Sequence, residues 1–182
     1  MSLTRQIFLW AEDHVLSISA THLKGTENTT ADFLSRRKIL PNEWCIKEEI
    51  FQYLSSLWGE PQIDLFATKR NSKCRHFFSL EKGETRNRLD AFSHSWNTTL
   101  AYAFPPIPLI ARVLEKIYLE KTQTIFVCPN WPKKSWYPIL KRMSTQDPVI
   151  LPVSEDLLVQ GPISHPDPGR LQLSAWILNR TI

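Results

Sequence analysis

An α/β fold, with a mostly parallel sheet and helices on both of its faces, is what the sequence predicts. Apolar runs that read as buried strands alternate with stretches of helical periodicity from about residue 60 onward. A crossover helix is the usual way to return a chain to a parallel neighbour, so this alternation argues for parallel pairing. A chain of 182 residues is long enough for one main core that buries roughly 70% of its unfolded surface.

The elements follow in order. Ser2 to Asp13 reads as a short helix, His14 to Ala20 alternates as a strand, and Asn28-Thr29-Thr30 caps a helix from Ala31 to about Ile39, which Pro41 ends. From Lys47 to Trp58, Ile50, Phe51, Tyr53, Leu54 and Leu57 recur at helical spacing, and Gly59 stops the run. "QIDLFAT" and "TLAYAF" read as strands, "IPLIARVLEKIYLEK" as an amphipathic helix and "TIFVCP" as a strand. "SWYPILKRM" then reads as a helix, "PVILP" as a strand and "RLQLSAWIL" as a long terminal strand.

Composition narrows the function classes. Hydrophobic residues make up 42% and charged ones 22%, an ordinary globular balance that argues against disorder. Lys plus Arg exceed Asp plus Glu by 22 to 18, a mildly basic surplus that permits nucleic-acid contact without demonstrating it. Cys45, Cys74 and Cys128 form no CxxC pair, which argues against a disulfide framework and a zinc knuckle and for a reducing compartment. The apolar run Ile7 to Trp10 is broken by Glu12 and Asp13, so it reads as neither signal peptide nor membrane span. Cytosol or nucleus is the expected location.

In open parallel sheets, ligands bind at the carboxyl ends of strands, which directs attention to "ATKRNSKCRHF", "PPIPL" and "PNWPKKSW". Lys69, Arg70, Lys73, Arg75 and His76 form one basic cluster. Lys133 and Lys134, between Trp131 and Trp136, form another, and both are expected at one rim of the sheet. Cations interleaved with aromatic rings suit single-stranded DNA or RNA. Cys74-x-His76 is half a metal site without a second pair, and His94 and His165 are isolated, so no metal is expected. The five glycines are scattered, and neither a phosphate loop nor a Ser-His-Asp set can be assembled.

The opening stretch "SATHLKGTENTTADFLSRR" resembles the last strand and helix of a retroelement ribonuclease H domain through His22, Gly25, Asn28, Ala31-Asp32 and Leu34-Ser35-Arg36. That resemblance makes residues 1–40 a truncated C-terminal piece of such a domain. Asp32 matches its final metal-binding carboxylate, and His22 its mobile catalytic histidine. Two-metal hydrolysis needs several converging carboxylates, and only the last is present, so this piece is expected to be inactive. The chain is expected to start inside a longer polyprotein.

Residues 43–180 resemble the segment that follows ribonuclease H in DIRS-type retrotransposons, itself similar to phage-type DNA N6-adenine methyltransferases. "IDLFATKRNSKCRHFFS", "DAFSHSW" and "LAYAFPPIPLIARVLEKI" carry the resemblance in that order. It implies a Rossmann-like, methyltransferase-like domain. In the methyltransferase loop, a side-chain carbonyl and a prolyl carbonyl accept the protons of the adenine amino group, and an aromatic ring stacks on the flipped base. Here the tetrapeptide is Phe104-Pro105-Pro106-Ile107: the rigid prolines remain, while the polar acceptor and the stacking ring do not. Loss of one preorganised acceptor alone costs on the order of a hundredfold in rate.

By the same resemblance, Asp64 or Asp90 is the acid that would hold S-adenosylmethionine, although the turn after Leu65-Phe66 has no glycine. The expected function is therefore that of a catalytically inactive retrotransposon-derived module that binds nucleic acid or serves a structural role beside the parent element's reverse transcriptase. A working adenine methyltransferase with S-adenosylmethionine as cofactor, and a relic without activity, are the alternative readings.

Overall fold

The computed structural model describes residues 43–79 and 91–179, together with Trp10, Ala11 and Lys24. The chain divides into two compact units, Met1–Ile39 and Leu40–Ile182, and every element named below belongs to the second. The strand expected at His14 to Ala20, the helix expected from Ala31, and the candidate residues His22, Asp32 and Asp90 lie outside the described residues.

Strand β1 (Cys45–Ile46) leads into helix α1 (Glu48–Trp58). Glu48 and Glu49 sit in the first turn of α1, where the helix dipole favours negative charge, and Phe51 and Leu54 form its buried stripe. Gly59 ends the helix as expected: its φ of 98° is open to glycine at little cost, and its amide bonds back to the Ser55 carbonyl at 2.8 Å.

Six strands form the main sheet: β2 (Ile63–Asp64), β3 (His76–Phe77), β4 (Ala101–Ala103), β5 (Thr124–Pro129), β6 (Val149–Ile150) and β9 (Leu173–Leu178). Their order is β3-β2-β4-β5-β9-β6. The first four are parallel neighbours, and β9 runs antiparallel between β5 and β6. A second, three-stranded antiparallel sheet pairs β1, β7 (Leu158–Gln160) and β8 (Ile163–Ser164). The mixed α/β architecture with a largely parallel sheet is thus as the sequence indicates.

Period-two alternation divides the strands between two cores. On one face, Ala101, Ala103, Phe126, Cys128, Trp176 and Leu178 pack against α2 (Ile110–Glu120) and α3 (Tyr137–Met143). Helix α2 contributes Ile110, Val113, Leu114 and Ile117, spaced as a single helical stripe. On the other face, Tyr102, Ile125, Val127, Ala175 and Ile177 meet α1 and the small sheet. That face is covered by one helix and a sheet, where helices alone were expected.

Two further expectations are corrected. The run "QIDLFAT" forms only the two-residue strand β2, because the Asp64 carboxylate captures the Phe66 amide at 3.2 Å and closes a side-chain turn that ends the strand. The link from β2 to β3 is a loop without a helix, and no α-helix stands among residues 91–100 before β4. There Trp96 anchors the chain instead: its indole donates to the Ala91 carbonyl at 2.6 Å, its amide meets the Glu120 carboxylate, and its carbonyl accepts from Thr122 at 2.9 Å.

Truncating Phe126, fully buried in the helix-covered core, removes a ring whose loss costs about 3–5 kcal/mol. Leu119, 67% exposed on α2, contributes little. Urea titration of Phe126→Ala and Leu119→Ala is expected to separate them, with Leu119→Ala within about 0.5 kcal/mol of the parent.

Candidate ligand crevice and basic rim

The chain lays down β2, crosses to β3 on one side and then places β4 on the other, so the strand order reverses between β2 and β4. At such a reversal a crevice opens beyond the carboxyl ends of the strands. Asp64, at the end of β2, and the loop Phe104-Pro105-Pro106-Ile107, which follows β4, are brought together there. Asp64 is the register partner of Tyr102, so their side chains share a face. Both line a small hollow of about 10 Å³, room for about one water, closed further by Trp44, Lys73 and Phe104.

Asp64 faces inward. It is 2% exposed; Oδ1 accepts the Phe66 amide and Oδ2 accepts the Lys73 amide at 3.0 Å. Burial pushes its carboxyl up to about 6, against the opposing effect of those two amides and the Lys73 charge. Amides of the loop it clamps are engaged both within the loop and by its neighbours. Leu65 donates to Tyr102, Ala67 to Phe78, Thr68 to the Asn71 side chain, Arg70 to the Thr68 hydroxyl, and Asn71 and Ser72 to the Thr68 carbonyl. Amides turned inward in this way do not form a cradle for a phosphate or a nucleotide.

The proline loop is rigid and apolar. Phe104 is half-buried against the core beneath α1, Pro105 is buried, and Ile107 is 37% exposed at the start of a 3-10 turn, Ile107–Leu109. The Pro106 carbonyl already accepts the Leu109 amide at 2.9 Å. Neither side chain at positions 104 and 107 offers a hydrogen-bond acceptor.

The structure divides the first basic cluster. Lys69 and Arg70 are exposed in the turn after β2, with Arg70 3.8 Å from Glu43. Lys73 is a tie rather than a surface cation: its side chain is 8% exposed and its Nζ lies 2.9 Å from the Glu48 carboxylate on α1. By Arg75 and His76 the loop has returned to the amino end of the sheet, where His76 stands beside Ile63 at the start of β2. These two residues therefore belong to the opposite rim.

The second cluster splits by burial. Lys133 and Lys134 are exposed in the turn after β5, and the Lys134 ammonium stands 5.5 Å from the centre of the Trp131 ring, which is half-buried. Trp136 is 6% exposed and packs in the core with Leu140 and Trp176. Strands β2, β4 and β5 are consecutive parallel neighbours, so the carboxyl ends of β2 and β5, which the Lys69-Arg70 and Lys133-Lys134 turns follow, lie on the same edge with the strands about 10 Å apart.

Trp44, Cys45 and Tyr102 were not singled out from the sequence, and they line the crevice together with Asp64. Burial raises the Cys45 thiol and pushes Cys74 up to about 12, so neither is poised as a nucleophile. Among the described residues, no three His, Cys, Asp or Glu side chains form a metal-ligand set, and no helix is long and apolar enough to cross a membrane. Compared with known proteins, the chain matches no family model, no curated protein and no solved structure.

Because folding raises the Asp64 carboxyl, the folded state holds that proton more tightly than the unfolded state. Its contribution to stability is present below about pH 4 and is lost as pH rises through about 6, on the order of 3 kcal/mol in all. The difference in unfolding free energy between the parent and Asp64→Asn is expected to shift against the parent between pH 4 and pH 7. A difference that is flat with pH would mean that Asp64 titrates normally.

Proposed function

We propose that the chain is a DIRS-type retrotransposon-derived module whose methyltransferase-like domain holds nucleic acid and does not transfer methyl groups. The observation that carries this reading is the carboxyl rim of the sheet. Two exposed basic turns follow the carboxyl ends of β2 and β5 there, one of them next to a half-buried tryptophan. Phosphates meet Lys and Arg, and bases stack on rings, with little demand for sequence. A mobile-element polyprotein, acting beside its reverse transcriptase in the cytosol or nucleus, supplies single-stranded nucleic acid as the natural partner.

Methyl transfer is left out of the proposal on chemical grounds. Phe104 stands where a polar acceptor is required, and Ile107 where a ring should stack on the base. Amides of the loop after β2 are engaged by the Asp64, Asn71 and Thr68 side chains and by the carbonyls of Thr68, Tyr102 and Phe78, and the hollow of about 10 Å³ is far below the roughly 300–1,000 Å³ usual for cofactor sites.

Replacing Lys133 and Lys134 together by Ala is expected to weaken binding of a labelled single-stranded oligonucleotide. It should also lower the slope of log K against log salt by about 1.4, because each phosphate that a lysine neutralises contributes about 0.7. Arg75→Ala with His76→Ala, on the far rim, should leave both unchanged. Unaltered binding in the Lys133/Lys134 variant would remove this rim from the interface. A thermal melt with excess S-adenosylmethionine is expected to show no shift; a rise of roughly 5–10 °C would restore the enzyme reading.

A further inference from the structure

The proposed function uses one aromatic ring, that of Trp131, and leaves Trp44 unassigned. Trp44 lines the small hollow at the carboxyl ends of β2 and β4 with Asp64, Phe66, Asn71 and Phe104, which places it beside the turn that carries Lys69 and Arg70. The residue before it, Glu43, is buried, and its carboxylate lies 3.8 Å from the Arg70 guanidinium. Arg70 itself is 78% exposed, so the tie to Glu43 holds a solvated cation in the neighbourhood of the indole.

The Trp44 ring is also braced. It meets the ring of His165, with centroids 4.9 Å apart and planes at 66°. His165, just after β8, is fixed in turn: its amide donates to the Leu158 carbonyl at 2.9 Å, and its Nδ1 accepts the Asp167 amide at 3.1 Å. The Asp167 carboxylate accepts the Arg170 amide at 3.1 Å. Behind the indole, the hollow has room for about one water, so the ring has no space into which to fold back. The remainder of the half-buried ring is open to solvent.

We propose that Trp44, braced by His165, is a second base-stacking platform for the single-stranded nucleic acid held at the carboxyl rim, with Arg70 meeting an adjoining phosphate. The proposal rests on the reading of this rim as a nucleic-acid surface and names the residue that receives a further base. Each platform sets an indole near an exposed cation, Trp44 near Arg70 and Trp131 below Lys134. One belongs to the end of β2 and the other to the end of β5, with β4 between them. The loop after β4 offers Pro106 and Ile107 there, apolar groups that neither attract nor repel a phosphate backbone. A fixed ring with a nearby guanidinium suits a base and its phosphate together, whereas an acidic peptide would use the cation and leave the ring idle.

The test is fluorescence-anisotropy titration of the full chain with a labelled oligothymidylate and with an abasic strand of the same length, which separates stacking from charge. Trp44→Leu is expected to bind the oligothymidylate about tenfold more weakly than the parent and the abasic strand equally well. Its salt slope should remain that of the parent, because an indole neutralises no phosphate. Trp44→Phe, which keeps a ring, should recover most of the affinity. Thermal melts accompany each variant, since Trp44 also packs against the core. Should Trp44→Leu fail to fold, His165→Ala removes the brace alone and is expected to weaken the oligothymidylate severalfold while sparing the abasic strand. Equal losses on both strands, or a folded Trp44→Leu that binds the oligothymidylate as the parent does, would overturn the platform. The rim reading would still stand in that case if the Lys133/Lys134 variant lost affinity. A parent chain that binds neither strand would remove the rim reading and the platform with it.

Discussion

The second domain depends on one buried carboxylate. Asp64 ends β2, holds the amides of Phe66 and Lys73, and thereby fixes the path of the nine residues between the carboxyl end of one strand and the return toward the next. Lys73, placed by that clamp, reaches Glu48 and binds the loop to α1. A helix, two strands and a loop are thus joined through a group whose charged form burial disfavours. The same geometry turns the loop amides inward, so the feature that organises the crevice also deprives it of a phosphate cradle.

The two faces of the sheet serve different ends. Packing on the side of α2 and α3 is apolar and deep, with Trp96, Phe126 and Trp176 filling it. The opposite side carries Tyr102 and borders the crevice, where polar groups remain under a cover made of α1 and the small antiparallel sheet. Alternation along single strands enforces this division: in β4 the sequence Ala-Tyr-Ala places two methyl groups toward the helices and one phenol toward the crevice.

Much of the fold was legible wherever the signal is local. The strand "TIFVCP" occupies Thr124–Pro129 as read, the helix read over "IPLIARVLEKIYLEK" forms as α2 from Ile110 after a 3-10 turn at Ile107–Leu109, and Gly59 marks the end of α1. Signals between distant residues were not legible. Cys45 pairs with Val159 across more than a hundred residues, so β1 and β7 leave no periodic trace, although Gly161, with φ of 59°, and Pro162 mark the β7–β8 turn. The site shows the same limit. Asp64 was found as an acid at a strand end, but its inward clamp depends on Lys73 folding back, and Lys73 read as a surface cation because Glu48 lies 25 residues away. Trp136 read as a rim aromatic because burial is a property of the whole core.

The placement of β9 bears on how the chain comes to be folded. Strand β5 lies near the middle of the sheet, yet one of its two neighbours is β9, paired over six residues and drawn from almost fifty positions later. Until that segment has left the ribosome, β5 carries an open edge of unpaired backbone groups. Closing so long a loop is slow compared with forming α2 between β4 and β5. The nascent domain therefore passes through a half-sheet that is sticky by construction, and its exposure to misassembly is set by how quickly the last strand arrives.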